Sequence, residues 1–203
     1  MGKLPTDSEI RETPEVSEAL QNYKRDGRYT YSEYCTWDDE LRWELINGVA
    51  YAMSAPSTAH QSISINLLLE LGTYLEGTPC KVFHAPFDVR LNADESDDTV
   101  VQPDIIVVCD KSILDSAGCK GAPDMVIEIL SPSTSKRDRT IKYDIYREAG
   151  VREYWVVDPD TKTMATHVLK DGEYTLRAYT DTDSVPIHVL EGCTIDLSKV
   201  FEF

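Results

Sequence analysis

One short apolar segment, residues 123–130, constrains the fold of this chain more than any other. Strands that are apolar almost throughout are buried on both faces, so this segment predicts a strand in the middle of a sheet. The segments 100–109 and 153–157 have the same character and predict two more strands. Glu128 lies inside the first segment, although a buried carboxylate is costly unless it is paired or bound to a metal ion. The sequence therefore predicts a central sheet that contains a charge.

Two helices are predicted around these strands. Residues 57–76 carry apolar side chains at helical intervals, and Gly77 follows as a stop. The predicted apolar stripe consists of Ile63, Leu67, Leu71 and Tyr74, widened by Leu68 and Leu75. A second helix is predicted over residues 133–149, between a Ser-Pro break and Gly150.

Turn chemistry predicts β-hairpins at Asn47-Gly48 and Asp171-Gly172. Residues 81–91 predict one further strand. The order of elements predicts an α/β (α+β) fold in which one mixed β-sheet is flanked by helices, with extra β-hairpins. Residues 1–28 are polar and predict an N-terminal tail, which leaves residues 29–203 as a single domain.

The charge of the chain is strongly acidic. Its 36 acidic and 20 basic residues give a net charge of −16, which disfavours non-specific binding to a polyanion. No apolar run approaches the roughly 20 residues that span a bilayer, and the first residues lack the apolar region of a secretory signal. The five cysteines are scattered without a close pair, so neither a zinc site nor a disulfide framework is indicated. A cytoplasmic protein without membrane contact is expected.

Asp104 and Glu128 are carboxylates on two of the predicted strands. Because Pro103 cannot donate to a sheet, Asp104 is expected at a strand start, an edge or a bulge. Carboxylate oxygens are the ligands that Mg²⁺ prefers, so two carboxylates converging from different strands indicate a cation site. The residues alone leave alternatives open: Glu128 satisfied by an arginine or by backbone donors, and Asp104 exposed in a turn.

Several motifs together resemble one known family. The most distinctive run is Ile-Glu-Ile-Leu-Ser-Pro-Ser-Thr at residues 127–134, followed by residues 149–159. Shorter matches lie at residues 31–34, 43–48, 57–61 and 102–105. From about Tyr29 to Phe203 the chain resembles the Uma2 (DUF820) family of endonucleases, within the PD-(D/E)XK restriction-endonuclease-like superfamily.

The resemblance implies an active site at strand ends that uses Mg²⁺ or Mn²⁺ as its cofactor. It assigns Asp104 and Glu128 as principal metal ligands, with Glu44 completing the acidic cluster. An exposed Glu44 paired with Arg42 is the alternative for the third carboxylate.

The lysine of the superfamily pattern is missing from its usual place, where Leu130 stands. The resemblance implies that Lys142 on the following helix replaces it. Asp138, Lys142 and Tyr146 recur at intervals of four and share one helical stripe. The alternative is an ordinary surface ion pair between Asp138 and Lys142.

Further residues are candidates for contacting the substrate or supporting the site: His60, Asp88, Gln102, Asp138 and Tyr146. For His60 a capping or packing role is the alternative, and Asp88 could instead pair with Arg90. Lys136, Arg137 and Arg139 crowd the start of the second helix, where cations are unfavourable unless they face phosphate. A solvated run of charge would also account for them.

Two functions from different classes follow. The first is a Mg²⁺-dependent endonuclease that hydrolyses phosphodiester bonds of nucleic acid, with DNA favoured, and that could act as a homodimer. Glu44, Asp104, Glu128 and Lys142 would be its catalytic residues. The second is a catalytically inactive restriction-endonuclease-like module that binds proteins, which the net charge and Leu130 favour. Carboxylates retained inside apolar strands favour the enzyme.

Overall fold

Strands form most of the regular structure in this computed structural model, which describes residues 27–38 and 41–202. In chain order the strands are β1 (Trp43–Ile46), β2 (Val49–Ala52), β3 (Lys81–His84), β4 (Val89–Arg90), β5 (Val100–Val101), β6 (Ile105–Val108), β7 (Leu114–Asp115), β8 (Gly118–Lys120), β9 (Met125–Ile129), β10 (Glu153–Asp158), β11 (Thr163–Lys170), β12 (Glu173–Thr180), β13 (Ser184–Pro186) and β14 (Thr194–Asp196). The α-helices are α1 (Tyr31–Tyr34), α2 (Thr58–Leu75), α3 (Ser135–Arg137), α4 (Tyr143–Ala149) and α5 (Leu197–Val200). A π-helical turn, Asp138–Lys142, joins α3 to α4, and a 3₁₀ turn, Lys111–Ile113, precedes β7.

Most of the predicted tail, residues 1–26, lies outside the described residues. Among the helices of the described residues, none is both long enough and apolar enough to cross a membrane.

Two six-stranded sheets are present where one mixed sheet was expected. The strand order is β2-β1-β5-β4-β8-β7 in the first and β12-β11-β10-β9-β6-β3 in the second, while β13 and β14 form a separate hairpin. In the second sheet β9 and β10 are parallel and all other neighbours are antiparallel. The parallel pair needs a crossover, which the helical segment from α3 to α4 supplies. The predicted class, mixed strands with flanking helices and extra hairpins, is confirmed.

The first sheet exists because two predicted strands are each divided. The predicted strand 81–91 becomes β3 and β4, and the predicted strand 100–109 becomes β5 and β6. In each case one half lies in the first sheet and the other half in the second. Residues 102–104 form the corner between β5 and β6, where Pro103 breaks the ladder because it has no N–H to donate. Asp104 therefore lies where the two sheets meet.

The two faces of β9 contact different layers. Met125, Ile127 and Ile129 pack on the side of α2. The buried stripe of α2 is Ile63, Leu67, Leu71 and Leu75, each contributing about 1.5–3 kcal/mol by burial. The prediction that Tyr74 belongs to this buried stripe is wrong, because Tyr74 is 38% exposed and its hydroxyl donates to the carbonyl of Glu191.

The other face of β9 is covered by α4 and by the first sheet. Val126 and Leu130 on this face pack with Ile145, Tyr146 and residues of the first sheet. Side chains alternate along a strand, so Glu128 shares this face with Val126 and Leu130. The carboxylate is thereby enclosed between the second sheet and the helical segment that follows it.

Both predicted hairpin turns are confirmed. Asn47 and Gly48 have φ values of 49° and 77°, and Asp171 and Gly172 have values of 52° and 83°. Two consecutive positive φ angles are what a two-residue hairpin turn of the favoured type requires.

A disulfide joins Cys80 to Cys109, where the sequence indicated no disulfide framework. The two cysteines are 29 residues apart. They come together because β3 pairs with β6 in a register that matches Lys81 with Val108, and the cysteines flank that pair. The spacing of the cysteines along the sequence does not indicate this long-range pairing of strands.

Candidate active site

Lys142 is a buried cation between carboxylates. Its side chain is 3% exposed, and its Nζ lies 2.8 Å from Glu44 Oε1 and 2.8 Å from Glu128 Oε1. Asp138 Oδ1 is 3.5 Å from the same nitrogen. The alternative of an ordinary surface pair between Asp138 and Lys142 is wrong, because both side chains are buried.

The π-helical turn carries Lys142 into the interior. Asp138, Lys142 and Tyr146 are all buried, while Ile141 is 38% exposed, so the predicted polar stripe faces inward. The hydroxyl of Tyr146 donates to Glu128 Oε1 at 2.7 Å. Single π turns inside helices are frequent at functional sites. Lysine and tyrosine thus reach Glu128 from one helical segment.

Glu44 is fully buried in β1, so the alternative of an exposed Glu44 paired with Arg42 is wrong. Besides Lys142, its Oε1 accepts from the backbone N–H of Gln102 at 3.1 Å. Its Oε2 lies 3.7 Å from Arg137 Nη2. Side chains alternate along a strand, so Glu44 lies on the face of β1 opposite to Trp43 and Leu45, and the helical segment covers that face.

Asp104 connects the corner of the first sheet to β9 and α2. Its Oδ2 accepts from the backbone N–H of Ile129 at 2.7 Å and lies 3.1 Å from His60 Nε2. The Asp104 side chain is 19% exposed, so the alternative in which Asp104 is exposed in a turn is wrong. His60 takes part in the helix cap only through its backbone N–H, which donates to the side chain of the N-cap residue Ser57 at 3.2 Å. Its ring contacts Asp104 instead.

Gln102 is the centre of a polar network behind the carboxylates. Its Oε1 accepts from Arg42 Nε at 3.0 Å and Arg42 Nη2 at 2.6 Å. Its Nε2 donates to Asp88 Oδ1 at 2.8 Å and to the Tyr34 hydroxyl at 3.1 Å. The alternative of a pair between Asp88 and Arg90 is wrong, since Arg90 pairs with Asp97. With all these bonds made, Gln102 fixes the corner that precedes Asp104.

Charge is unevenly distributed among the buried groups. Burial raises the pKa of Glu128 well above its usual range against the opposing effect of Lys142, and the nearby carboxylates add to the rise. Burial would also raise the pKa of Glu44, but Lys142 and Arg137 together bring it below the ordinary value. Burial alone would lower the pKa of Lys142, yet Glu128 and Glu44 raise it. Lys142 therefore stays protonated, and Glu128 is the carboxylate that takes up a proton most readily.

A cavity of about 110 Å³ collects most of the predicted site residues on its wall. It is lined by Glu44, Asp104, Glu128 and Lys142, together with His60, Gln102 and Asp138. Asp88 and Tyr146 do not line it but form hydrogen bonds with Gln102 and Glu128, which do. The structure thus brings together all four predicted catalytic residues.

The donor set suits a divalent cation in its chemistry. Glu44, Asp104 and Glu128 offer the hard oxygens that Mg²⁺ prefers. Glu44 Oε2 is buried and has no hydrogen-bond partner among the described residues. Within the described part of the chain, however, no three histidine, cysteine or acidic side chains are grouped closely enough to hold a metal ion. The ammonium of Lys142 is the cation that Glu44 and Glu128 share.

A family model described as a putative restriction endonuclease, Uma2, matches residues 30–198. The chain belongs to the Uma2 family. An uncharacterized protein from Synechocystis sp. is 26% identical over 159 residues, which are 76% of this chain and 82% of that protein. The crystal structure of a putative nuclease belonging to DUF820 from Anabaena variabilis superposes with a TM-score of 0.70 at 20% identity, covering 85% of this chain and 97% of that one. The resemblance found in the motifs is confirmed, and Uma2 membership supports a nuclease role.

Two arginines of this Uma2 protein line the cavity without having been singled out as site residues. Arg42 directly precedes β1 and stands two residues before Glu44, and that spacing was the available signal. Arg137 belongs to the basic run at the start of the second helix, but only the fold separates it from Lys136 and Arg139.

Proposed function

We propose that this Uma2 protein is a Mg²⁺- or Mn²⁺-dependent endonuclease that hydrolyses phosphodiester bonds of DNA. One observation carries the proposal: Lys142 is held 2.8 Å from both Glu44 and Glu128, on the wall of the cavity that also contains Asp104. Glu44, Glu128 and Lys142 come from β1, β9 and the π-helical turn, and burying them together is costly unless the arrangement has a function.

Glu44, Asp104 and Glu128 would hold the metal ion after a rearrangement of their side chains, because as they stand no three acidic side chains of the described residues are close enough together to do so. When bound, a divalent cation supplies an activated water and positive charge for the phosphate. Asp104 is oriented for this role by the N–H of Ile129 and by His60. Gln102 fixes Glu44 from its backbone N–H, while its side chain is itself fixed by Arg42 and Asp88.

Lys142 acts as a permanent cation in this mechanism. Because the neighbouring carboxylates raise its pKa, it does not serve as a general base. Its ammonium can instead orient the attacking water and stabilise the negative charge that develops on the phosphate oxygens. The lysine that is absent at Leu130 is thereby supplied from the helical segment.

DNA is the proposed substrate because the family model is described as a putative restriction endonuclease. The net charge of −16 opposes this choice at long range. Arg42 and Arg137 on the cavity wall supply local positive charge that offsets the field where a phosphate would approach.

A cleavage assay tests the proposal. Purified protein is incubated with supercoiled plasmid, linear duplex, single-stranded DNA and RNA, each with Mg²⁺, with Mn²⁺ and with EDTA. We expect nicking or linearisation of DNA with either metal and none with EDTA. Cleavage of RNA but not of DNA would show that the substrate is RNA instead of DNA. Absence of cleavage in every reaction would favour the inactive interaction module.

A further inference from the structure

Arg137 is a buried arginine with an unmet donor on the wall of the cavity. Its side chain is 10% exposed, and its guanidinium carbon lies 5.0 Å from the centre of the Tyr51 ring. Its Nε is buried and has no hydrogen-bond partner among the described residues. The distance of 3.7 Å from Nη2 to Glu44 Oε2 is too long for a hydrogen bond.

Such a donor is unusual, because buried polar groups in proteins are nearly always hydrogen-bonded. Arginine presents five N–H donors in a planar fork that matches the oxygens of a phosphate. Tyr51 and the charge of Glu44 compensate part of the desolvation of Arg137, but neither supplies a hydrogen bond at Nε. The unmet donor points to an anionic ligand.

The neighbours of Arg137 in the basic run do not share this position. Lys136 and Arg139 are exposed. Arg139 Nη2 pairs with Asp158 Oδ2 at 3.0 Å, beside a different depression of the surface. Among the three basic residues of this run, Arg137 is the one that lines the cavity with Glu44 and Lys142.

A second guanidinium faces the same cavity. Arg42 is held by two hydrogen bonds to Gln102 Oε1, at 3.0 and 2.6 Å, so its plane is fixed by the corner that precedes Asp104. Arg42 directly precedes β1, Arg137 belongs to α3, and both line the cavity together with the carboxylates.

We propose that Arg137, assisted by Arg42, binds a phosphate of the DNA backbone at this cavity. The inference rests on the proposed function and adds the residues that hold the substrate. A phosphodiester has two unesterified oxygens, which accept paired N–H bonds from a guanidinium. In the complex a phosphate oxygen would accept a hydrogen bond from Arg137 Nε. The positive charges of the two arginines would offset the repulsion between the phosphate and the carboxylates.

Binding of a short fluorescein-labelled DNA duplex, followed by anisotropy in EDTA, tests the inference without cleavage. Wild type is compared with Arg137→Met and with the matched control Arg139→Met, which removes the same charge from the same helical segment. We expect Arg137→Met to bind about tenfold or more weakly, the loss expected for a hydrogen bond to a charged group. The dependence of log affinity on log salt, measured between about 50 and 200 mM, should fall by about one for Arg137→Met. Arg139→Met should keep the wild-type slope.

Equal losses in the two variants would overturn the inference and assign the effect to net charge. If Arg137→Met does not fold, the test passes to Arg137→Lys, which keeps the charge but loses the fork. Wild-type affinity in Arg137→Lys would then overturn the inference. Failure of the proposed function has a different signature: the wild type itself would neither bind nor cleave DNA, and the inference would fall with it.

Discussion

Replacing Lys142 with methionine removes the cation that Glu44 and Glu128 share. Methionine is unbranched and of similar length, so the change creates little empty volume and acts mainly through charge. The two carboxylates would remain buried, each having lost a contact of 2.8 Å. Arg137 is the only other cation within ion-pair distance of Glu44 among the described residues, and it lies 3.7 Å away.

The expected loss of stability is large. Removing one partner of a buried ion pair costs about 3–5 kcal/mol. Because Lys142 contacts two carboxylates closely and a third at 3.5 Å, we expect the upper half of that range. For a domain of this size each kcal/mol lowers Tm by about 2–4 °C, so the expected fall is about 8–20 °C. The loss should be smaller at about pH 5 than at about pH 8, because Glu128, whose pKa is already raised by burial, can then be protonated.

Thermal unfolding followed by circular dichroism in EDTA measures this effect. Lys136→Met is the matched control, since Lys136 is exposed in the same helical segment and its loss should change stability by about 0.5 kcal/mol or less. Adding Glu44→Gln to Lys142→Met should recover part of the loss. A Tm for Lys142→Met within the error of the Lys136→Met control would refute the idea that Lys142 neutralises the carboxylates.

Three further predictions concern the same site and the assembly of the protein. Glu128→Gln should raise the metal-free Tm by a few degrees at about pH 8 and leave it unchanged near pH 4. Because the pKa of Glu128 is raised in the folded state, its contribution to stability is present below the unfolded-state pKa of about 4.3 and is lost as the pH rises through the folded-state pKa. A lower Tm for Glu128→Gln at about pH 8 would contradict this sign. Calorimetry should show Mn²⁺ binding that weakens at least about tenfold in Asp104→Ala and Glu128→Ala but not in the exposed control Asp160→Ala, whereas unchanged affinity in both site variants would remove the proposed metal site. Light scattering should give a homodimer, for which the edge strand β12 is available, and a mass of 22.9 kDa at micromolar concentration would count against it.

Local signals predicted the parts of the fold that short-range chemistry determines. Asn47-Gly48 specifies its turn because both residues accept positive φ, and α2 follows from the spacing of Ile63, Leu67 and Leu71. The division of the predicted strand 100–109 was not predictable in the same way. Pro103 marks a break in pairing, but which sheet each half joins depends on partners distant in the sequence.

The site shows the same limit. The stripe of Asp138, Lys142 and Tyr146 was predicted from spacing, and it faces inward as expected, although the π turn that carries it was not foreseen. The sequence left open whether Glu44 is buried, because β1 borders polar sequence and the helical segment that covers Glu44 lies about ninety residues further along the chain. Arg137 could not be separated from Lys136 and Arg139, since a run of adjacent charges carries no information about which one faces a cavity.

In the proposed mechanism Lys142 supplies the positive charge for phosphodiester hydrolysis. Its most direct test is the single-turnover rate of plasmid cleavage by Lys142→Met in Mn²⁺, measured well below the Tm of the variant and at saturating metal. The rate should fall by about 10²-fold or more relative to wild type, the scale of losing one charge that stabilises the transition state. Cleavage by Lys142→Met at the wild-type rate would contradict the assignment of the catalytic lysine to the helical segment.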